Sequence, residues 1–322
     1  MRNLQNDPLL LTPGPLTTSE SVKKVMVQDW GSRDPEFIAM TARVRIGVED
    51  IAGVADGSHV CVLLQGSGTF AVEAAITSLI PRDGRVLVLV NGAYGHRIRR
   101  VCDYHGRKYF SMETDENVPP DVAELAAFLA SNADITHVIA VHCETTSGIL
   151  NPIAEIAKVV QNHECHLIID AMSSFGALTL SVQDVPCLAI VASSNKCLEG
   201  APGIGFVVAE REALQKAKGN ANSLALDIHA QWVGFESNGQ WRFPPPTQVL
   251  AALRRHTHGQ RIARAEMNLV IDIRAKGELL CLALAADGKR GDDKGRVLNL
   301  DTAPLDRCHQ PVAAICLSPQ HR

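Results

Sequence analysis

The chain has 322 residues, 46% of them hydrophobic and 20% charged, with a net charge of -4. That length fits one large or two modest domains, and the apolar share excludes a disordered or fibrous chain. The mild acidity argues against a general nucleic-acid binder, which needs a basic face.

In chain order, residues 60–64 (Val-Cys-Val-Leu-Leu) form an unbroken apolar run, expected as a buried strand and ended by Gln65-Gly66-Ser67-Gly68. A helix follows, with Ala71, Ala74, Ala75 and Ser78 at three- and four-residue spacing. Pro81-Arg82-Asp83-Gly84 makes a turn, and 85–90 is a second strand, ended by Asn91-Gly92. Helices are expected over 95–105, 121–130 and 152–161, with a strand over 136–142. Further strands follow at 166–170 and 188–192, and 205–209 returns as a strand after the loop 200–203. The three prolines at 244–246 form a stiff segment expected to lead out of the large domain.

Apolar strands without alternation, separated by helices, imply a mostly parallel sheet covered on both faces. Ligands of such sheets collect at the carboxyl ends of the strands. The polar and Gly-rich stretches 65–69, 91–95, 144–148, 170–174 and 193–196 all follow strands, so they should converge on one edge. The longest apolar runs, 86–90 and 279–286, fall far short of the ~20 residues that span a bilayer. The N-terminus carries no hydrophobic signal region. The nine cysteines include no Cys-x-x-Cys pair, so neither a zinc site nor a disulfide framework is expected. A protein of the reducing cytoplasm, without metal, membrane or nucleic-acid partner, is the expectation.

Three strand-end features carry chemistry. Ser67-Gly68-Thr69 lies between a strand and a helix, where glycine permits close backbone approach and the helix start offers N–H groups to a phosphate. It matches neither a Walker A loop nor a dinucleotide fingerprint, because position 71 is Ala and no Gly-Lys-Ser/Thr follows. Asp170 ends the apolar strand 166–170, which aims a carboxylate into the ligand crevice. Lys196 follows another apolar strand, where partial desolvation favours a nucleophilic amine. Each feature alone has an ordinary explanation: a plain turn, a helix cap, a solvated lysine. Together they are the equipment for pyridoxal 5'-phosphate: a lysine for its aldehyde, an aspartate for its ring nitrogen, a loop for its phosphate. Tyr94 is a candidate aromatic ring for the cofactor face.

The motifs 9–17 (LLLTPGPLT), 63–69 (LLQGSGT), 91–95 (NGAYG), 142–148 (HCETTSG), 170–176 (DAMSSFG) and 193–197 (SSNKC) occur in this order. The chain resembles the 2-aminoethylphosphonate–pyruvate transaminases, class V aminotransferases of pyridoxal-phosphate fold type I, over roughly residues 8–252. The resemblance implies a large domain built on a mostly parallel seven-stranded sheet. It implies that Lys196 holds the cofactor and moves the proton, and that Asp170 partners the ring nitrogen. Ser67, Gly68 and Thr69 would hold the phosphate with Asn195 nearby, Tyr94 would stack on the ring, and Thr145 would lie near the cofactor hydroxyl. Thr12, Pro13 and Gly14 would line the substrate pocket. Thr247, in the segment opened by Trp241-Arg242-Phe243, would reach the phosphate of a second subunit, so that a homodimer shares its sites. The implied substrates are 2-aminoethylphosphonate and pyruvate. Alanine– or serine–glyoxylate transamination is the alternative in the same class, and a cofactor-binding but catalytically impaired chain is the alternative in another.

The resemblance fades after residue 253. Residues 254–322 carry 12 Lys and Arg against 8 Asp and Glu, leaving 19 and 27 to the rest of the chain. The expected division is therefore an N-terminal active-site segment (1–20), a cofactor domain (21–253) and an atypical tail (254–322). That tail stands where the family has a small C-terminal domain bearing a substrate-binding arginine; the small domain is expected to be absent or aberrant. It reads as a segment translated in another frame or joined from another exon. Its His and Cys residues, such as Cys308-His309, match no standard metal spacing.

Overall fold

The computed structural model describes residue 10 and residues 12–266. The chain enters through α1 (Glu20–Val25) and α2 (Pro35–Ile51), then alternates β1 (His59–Gln65), α3 (Gly68–Leu79), β2 (Arg85–Val90), α4 (Ala93–Tyr104), β3 (Lys108–Glu113) and α5 (Val122–Ser131). It continues through β4 (His137–Val141), α6 (Ile153–Asn162), β5 (His166–Asp170), β6 (Ala189–Ser193), β7 (Ile204–Glu210), α7 (Arg211–Lys216), α8 (Ile228–Asn238) and α9 (Thr247–Glu266). The seven strands form one sheet in the order β1-β7-β6-β5-β4-β2-β3. All pairings from β6 to β3 are parallel, while β7 runs antiparallel to both its neighbours, as a returning strand must. The expected mostly parallel seven-stranded sheet is what the chain forms.

Burial explains the legible runs. β4 and β6 are buried at every position, and β1, β2, β5 and β7 at all but one, including Cys61 in β1. Helices therefore cover the sheet on both sides: α3 packs on β6 and β7, α4 on β2 and β3, and α6 on β5 with α5 behind it. The elements beyond those expected are α1, α2, β3, α7, α8 and α9. β3 lies at one edge of the sheet, and its residues are exposed or half-buried, none fully buried. α2 follows the spacing rule, burying Phe37, Met40, Val44, Val48 and Ile51 on one face behind a proline in its first turn.

The triple-proline segment does not lead out of the large domain. It delivers the chain into α9, which packs back on α1 and α2. Leu250, Ala251 and Leu253 of α9 belong to the main core. Upstream, Trp241 is buried against Phe235 in edge-to-face contact and donates Nε1–H to Thr41 Oγ1 at 3.2 Å, which pins the segment before the prolines. The division expected at 253/254 falls inside α9, and Thr257 beyond it is still buried. The remainder of the tail, 267–322, with Cys308, His309 and the run 279–286, lies outside the described residues.

α2 and α9 are in close contact at Gly47, where a Cβ would stand 2.6 Å from Thr257 Cβ. Gly47→Val should force the helices apart and lower stability by about 1–3 kcal/mol, read as a lower denaturation midpoint at unchanged m-value. An unchanged midpoint would show that this crossing is not tightly packed.

Candidate active site

Because β2, β4, β5 and β6 run in one direction, their carboxyl ends share one edge of the sheet, and a cavity lies there. Seven of the expected site residues line it: Ser67, Gly68, Thr69, Tyr94, Asp170, Asn195 and Lys196. Arg97, Met172 and Ser193 join them. Thr12, Pro13, Thr145 and Thr247 do not. Thr145 Oγ1 is in a very short hydrogen bond with Ser173 Oγ, and Thr247 Oγ1 donates to Gln248 Oε1 at 2.9 Å. Gly14 lies behind the lysine: a Cβ on it would stand 2.5 Å from Lys196 Cδ and 3.0 Å from the Asn195 carbonyl oxygen. With φ +137°, its backbone conformation is one that side-chain-bearing residues rarely adopt.

Ser67 is the N-cap of α3, yet its side chain makes no capping bond; apart from the Phe70 N–H, which donates to Ser67 O at 3.0 Å, the first-turn N–H groups are left to whatever lies before the helix. Close packing fixes this turn. A Cβ on Gly68 would collide with Met172 Sδ, and one on Gly205 would come within 2.9 Å of the Ser67 carbonyl oxygen. The lysine loop is equally constrained: Ser194 Oγ donates to Ala201 O at 2.6 Å, Gly200 N–H to Ser194 O at 2.8 Å, and Glu199 N–H to Lys196 O at 2.8 Å.

Asp170 is 4% exposed. Its Oδ1 accepts the Met172 N–H at 3.1 Å. Burial pushes its carboxyl up from 3.8 to about 6, and Glu144 adds to the rise. The Met172 N–H, Arg97 and Lys196 pull the other way without restoring the ordinary value. A buried carboxylate that faces a cavity in this condition calls for a cation, and a protonated ring nitrogen is one. With the uncapped helix start and the half-buried lysine, the residues present fit pyridoxal 5'-phosphate. Among the described residues, no group of three His, Cys, Asp or Glu side chains is arranged to hold a metal.

Arg97 is a charged lining residue that composition and motif order do not single out. Its guanidinium lies 4.5 Å from the Tyr94 ring centroid, and Nη1 donates to Thr69 Oγ1 at 3.3 Å. Its signal is positional: Tyr94 and Arg97 are three apart on one helix, so they share a face.

The raised Asp170 carboxyl has a definite sign in stability. Below 3.8 it is neutral in both the folded and unfolded chain; above about 6 the folded cofactor-free chain carries a costly buried charge. Asp170→Asn should therefore gain on the wild type as pH rises through that window, by on the order of 2–3 kcal/mol, measured as the difference in Tm between the two cofactor-free proteins. A gap that stays constant across the window would rule out the burial cost.

Residues 23–230 match the family described as aminotransferase class-V. A 2-aminoethylphosphonate–pyruvate transaminase of Pseudomonas putida is 55% identical over 252 residues, covering 78% of this chain and 68% of that protein. One of Pseudomonas aeruginosa is 53% identical over 253 residues, 79% of this chain and 68% of its own. Among solved structures, pyridoxamine–pyruvate aminotransferase of Mesorhizobium loti superimposes with a TM-score of 0.74 at 27% identity, over 81% of this chain and 67% of that one. Alanine–glyoxylate aminotransferase of Nostoc sp. shares the fold, with a TM-score of 0.71 at 21% identity over 81% of this chain and 69% of its own. With the family pattern running through the strands that build the cavity, and relatives of this identity covered over two thirds of their length, the chain belongs to the class V aminotransferases.

Proposed function

We propose that this chain is a pyridoxal 5'-phosphate-dependent transaminase that moves the amino group of 2-aminoethylphosphonate to pyruvate, releasing phosphonoacetaldehyde and alanine. The observation that carries the reading is the joining of Lys196 and Asp170 in one strand-end cavity beside an uncapped helix start. The choice of substrates is supported by the names of relatives more than 50% identical.

In this reading Ser67, Gly68, Thr69 and the first turn of α3 hold the cofactor phosphate, with Asn195 beside them. Asp170 keeps a proton on the ring nitrogen, Tyr94 covers a ring face, and Thr145 serves the cofactor hydroxyl. The bound cofactor supplies an electron sink for the electrons of a broken C–H bond. Lys196 Nζ holds the cofactor until an amine displaces it. Once freed, it would take the proton from the amine-bearing carbon of the substrate and pass it to the carbon that had carried the lysine, and would move a proton the opposite way when pyruvate is the acceptor. The first half-reaction releases the aldehyde and the second releases alanine. Thr12, Pro13 and Gly14 form the wall behind Lys196 on the substrate side. Thr247 reaches the phosphate held by a second copy, so the working form is a homodimer of the cytoplasm. The division into residues 1–20, 21–253 and 254–322 belongs to the same reading.

The test is a coupled assay of the purified chain with 2-aminoethylphosphonate and pyruvate, run beside alanine or serine with glyoxylate. Alanine formation from the phosphonate donor is expected, and Lys196→Ala should lower it by roughly 10²–10⁴-fold or more. Preference for a glyoxylate pair would move the assignment within the class. Cofactor binding without turnover on any pair would replace the enzyme by a binding chain. Gly14→Ala, whose new methyl must displace Lys196 and whose φ disfavours a side chain, should lower turnover by about tenfold or more together with a modest fall in Tm. Full activity in that variant would detach the 12–14 segment from the site.

A further inference from the structure

Glu144 is fully buried at the end of β4, and none of the roles above uses it. Its Oε2 accepts the Tyr94 N–H at 3.2 Å. Its Oε1 accepts from the Thr146 N–H at 3.4 Å and from Thr146 Oγ1 at 3.1 Å. Tyr94 lies in the first turn of α4, a helix whose N-cap residue, Gly92, has no side chain to offer. The two facts are complementary. A Cβ on Gly92 would stand 2.5 Å from Glu144 Cδ and would collide with Cγ. The φ of Gly92, 166°, is open to any residue, so the glycine is required for space alone. The helix gives up its own cap and takes a carboxylate from 50 residues further along the chain.

The same corner is locked by a reciprocal amide pair. Asn91 Nδ2 donates to Asn151 Oδ1 at 2.8 Å, and Asn151 Nδ2 donates to Asn91 Oδ1 at 3.1 Å and to the Val141 carbonyl at 2.8 Å. The ends of β2 and β4 thus form one rigid support beneath Tyr94 and Arg97.

We propose that Glu144 is a positioning residue of the cofactor site: it clamps the first turn of α4 so that Tyr94 stands over the cavity. The proposal rests on the reading of that cavity as the pyridoxal 5'-phosphate site. It assigns Glu144 to the ring side of the cofactor and gives it no part at the Ser67–Thr69 phosphate loop.

The test loads the full-length wild type, Glu144→Gln and Glu144→Ala with pyridoxal 5'-phosphate, then dialyses each against graded cofactor to obtain a Kd. Inorganic phosphate serves as a second probe, competing only for the phosphate loop, and Tm is recorded throughout. Glu144→Ala should bind the cofactor about tenfold more weakly. Glu144→Gln, whose amide oxygen still accepts the Tyr94 N–H, should lose less, and the phosphate inhibition constant should be the same in all three. Glu144→Gln keeps the side-chain volume and decides the matter if the alanine variant does not fold: a small loss of affinity with unchanged phosphate inhibition supports the clamp. A cofactor Kd unchanged in both variants overturns it. Equal weakening of cofactor and phosphate also overturns it, making Glu144 a general support of the fold. Failure of the wild type to retain pyridoxal 5'-phosphate would overturn the cofactor reading itself, and this proposal with it.

Discussion

A sheet buried on both faces has no room for a polar side chain along the length of its central strands, because each unpaired buried polar group costs several kcal/mol. Polar chemistry is therefore pushed to the strand ends, and parallel pairing collects those ends on one edge. Everything about the site follows from that constraint. Asp170 is the last residue of β5, Ser193 the last of β6, and Ser67 stands between the end of β1 and α3. The cavity is what remains when these ends cannot close on one another.

The electrostatics of the edge are those of a site waiting for a cation. Asp170 is buried, Glu144 is buried nearby, and the positive groups that face Asp170, Arg97 and Lys196, do not offset its desolvation. A cofactor with a basic ring nitrogen and a phosphate distributes charge to suit both sides of such a cavity: positive toward Asp170, negative toward the start of α3. The same residues without the cofactor hold an unfavourable charge, which links occupancy of the site to the stability of the large domain.

Most of the sheet was legible because double-sided burial writes an unbroken apolar run, and six of the seven strands carry one. β3 was not, because no residue of it is fully buried, unlike β1 at the opposite edge, and Lys108, Ser111 and Glu113 break its pattern. α2 carried a readable signal in its spacing of apolar residues, whereas the capping of α4 by Glu144 joins residues fifty apart and leaves no local trace. Lys196, Asp170 and the Ser67–Thr69 turn could be found because each sits at the end of an apolar strand or within three residues after it. Arg97 could not, because it enters the cavity from the second turn of a helix, where an arginine is ordinarily a solvated residue.

The lysine loop is a hairpin and not a crossover. Its ten residues join the end of β6 to the start of β7, two strands paired side by side, with Ser193 opposite Gly205. Both rails are buried in the middle of the sheet, and Gly66 N–H ties the loop's far end to β1 through the Gly203 carbonyl. A loop held at both ends in this way has little conformational freedom left to lose when a ligand binds. The chain is accordingly a poor candidate for new termini or inserted sequence between 194 and 203. Turns such as that at Gly219, where a side chain would meet only open space, are better places to cut or extend it.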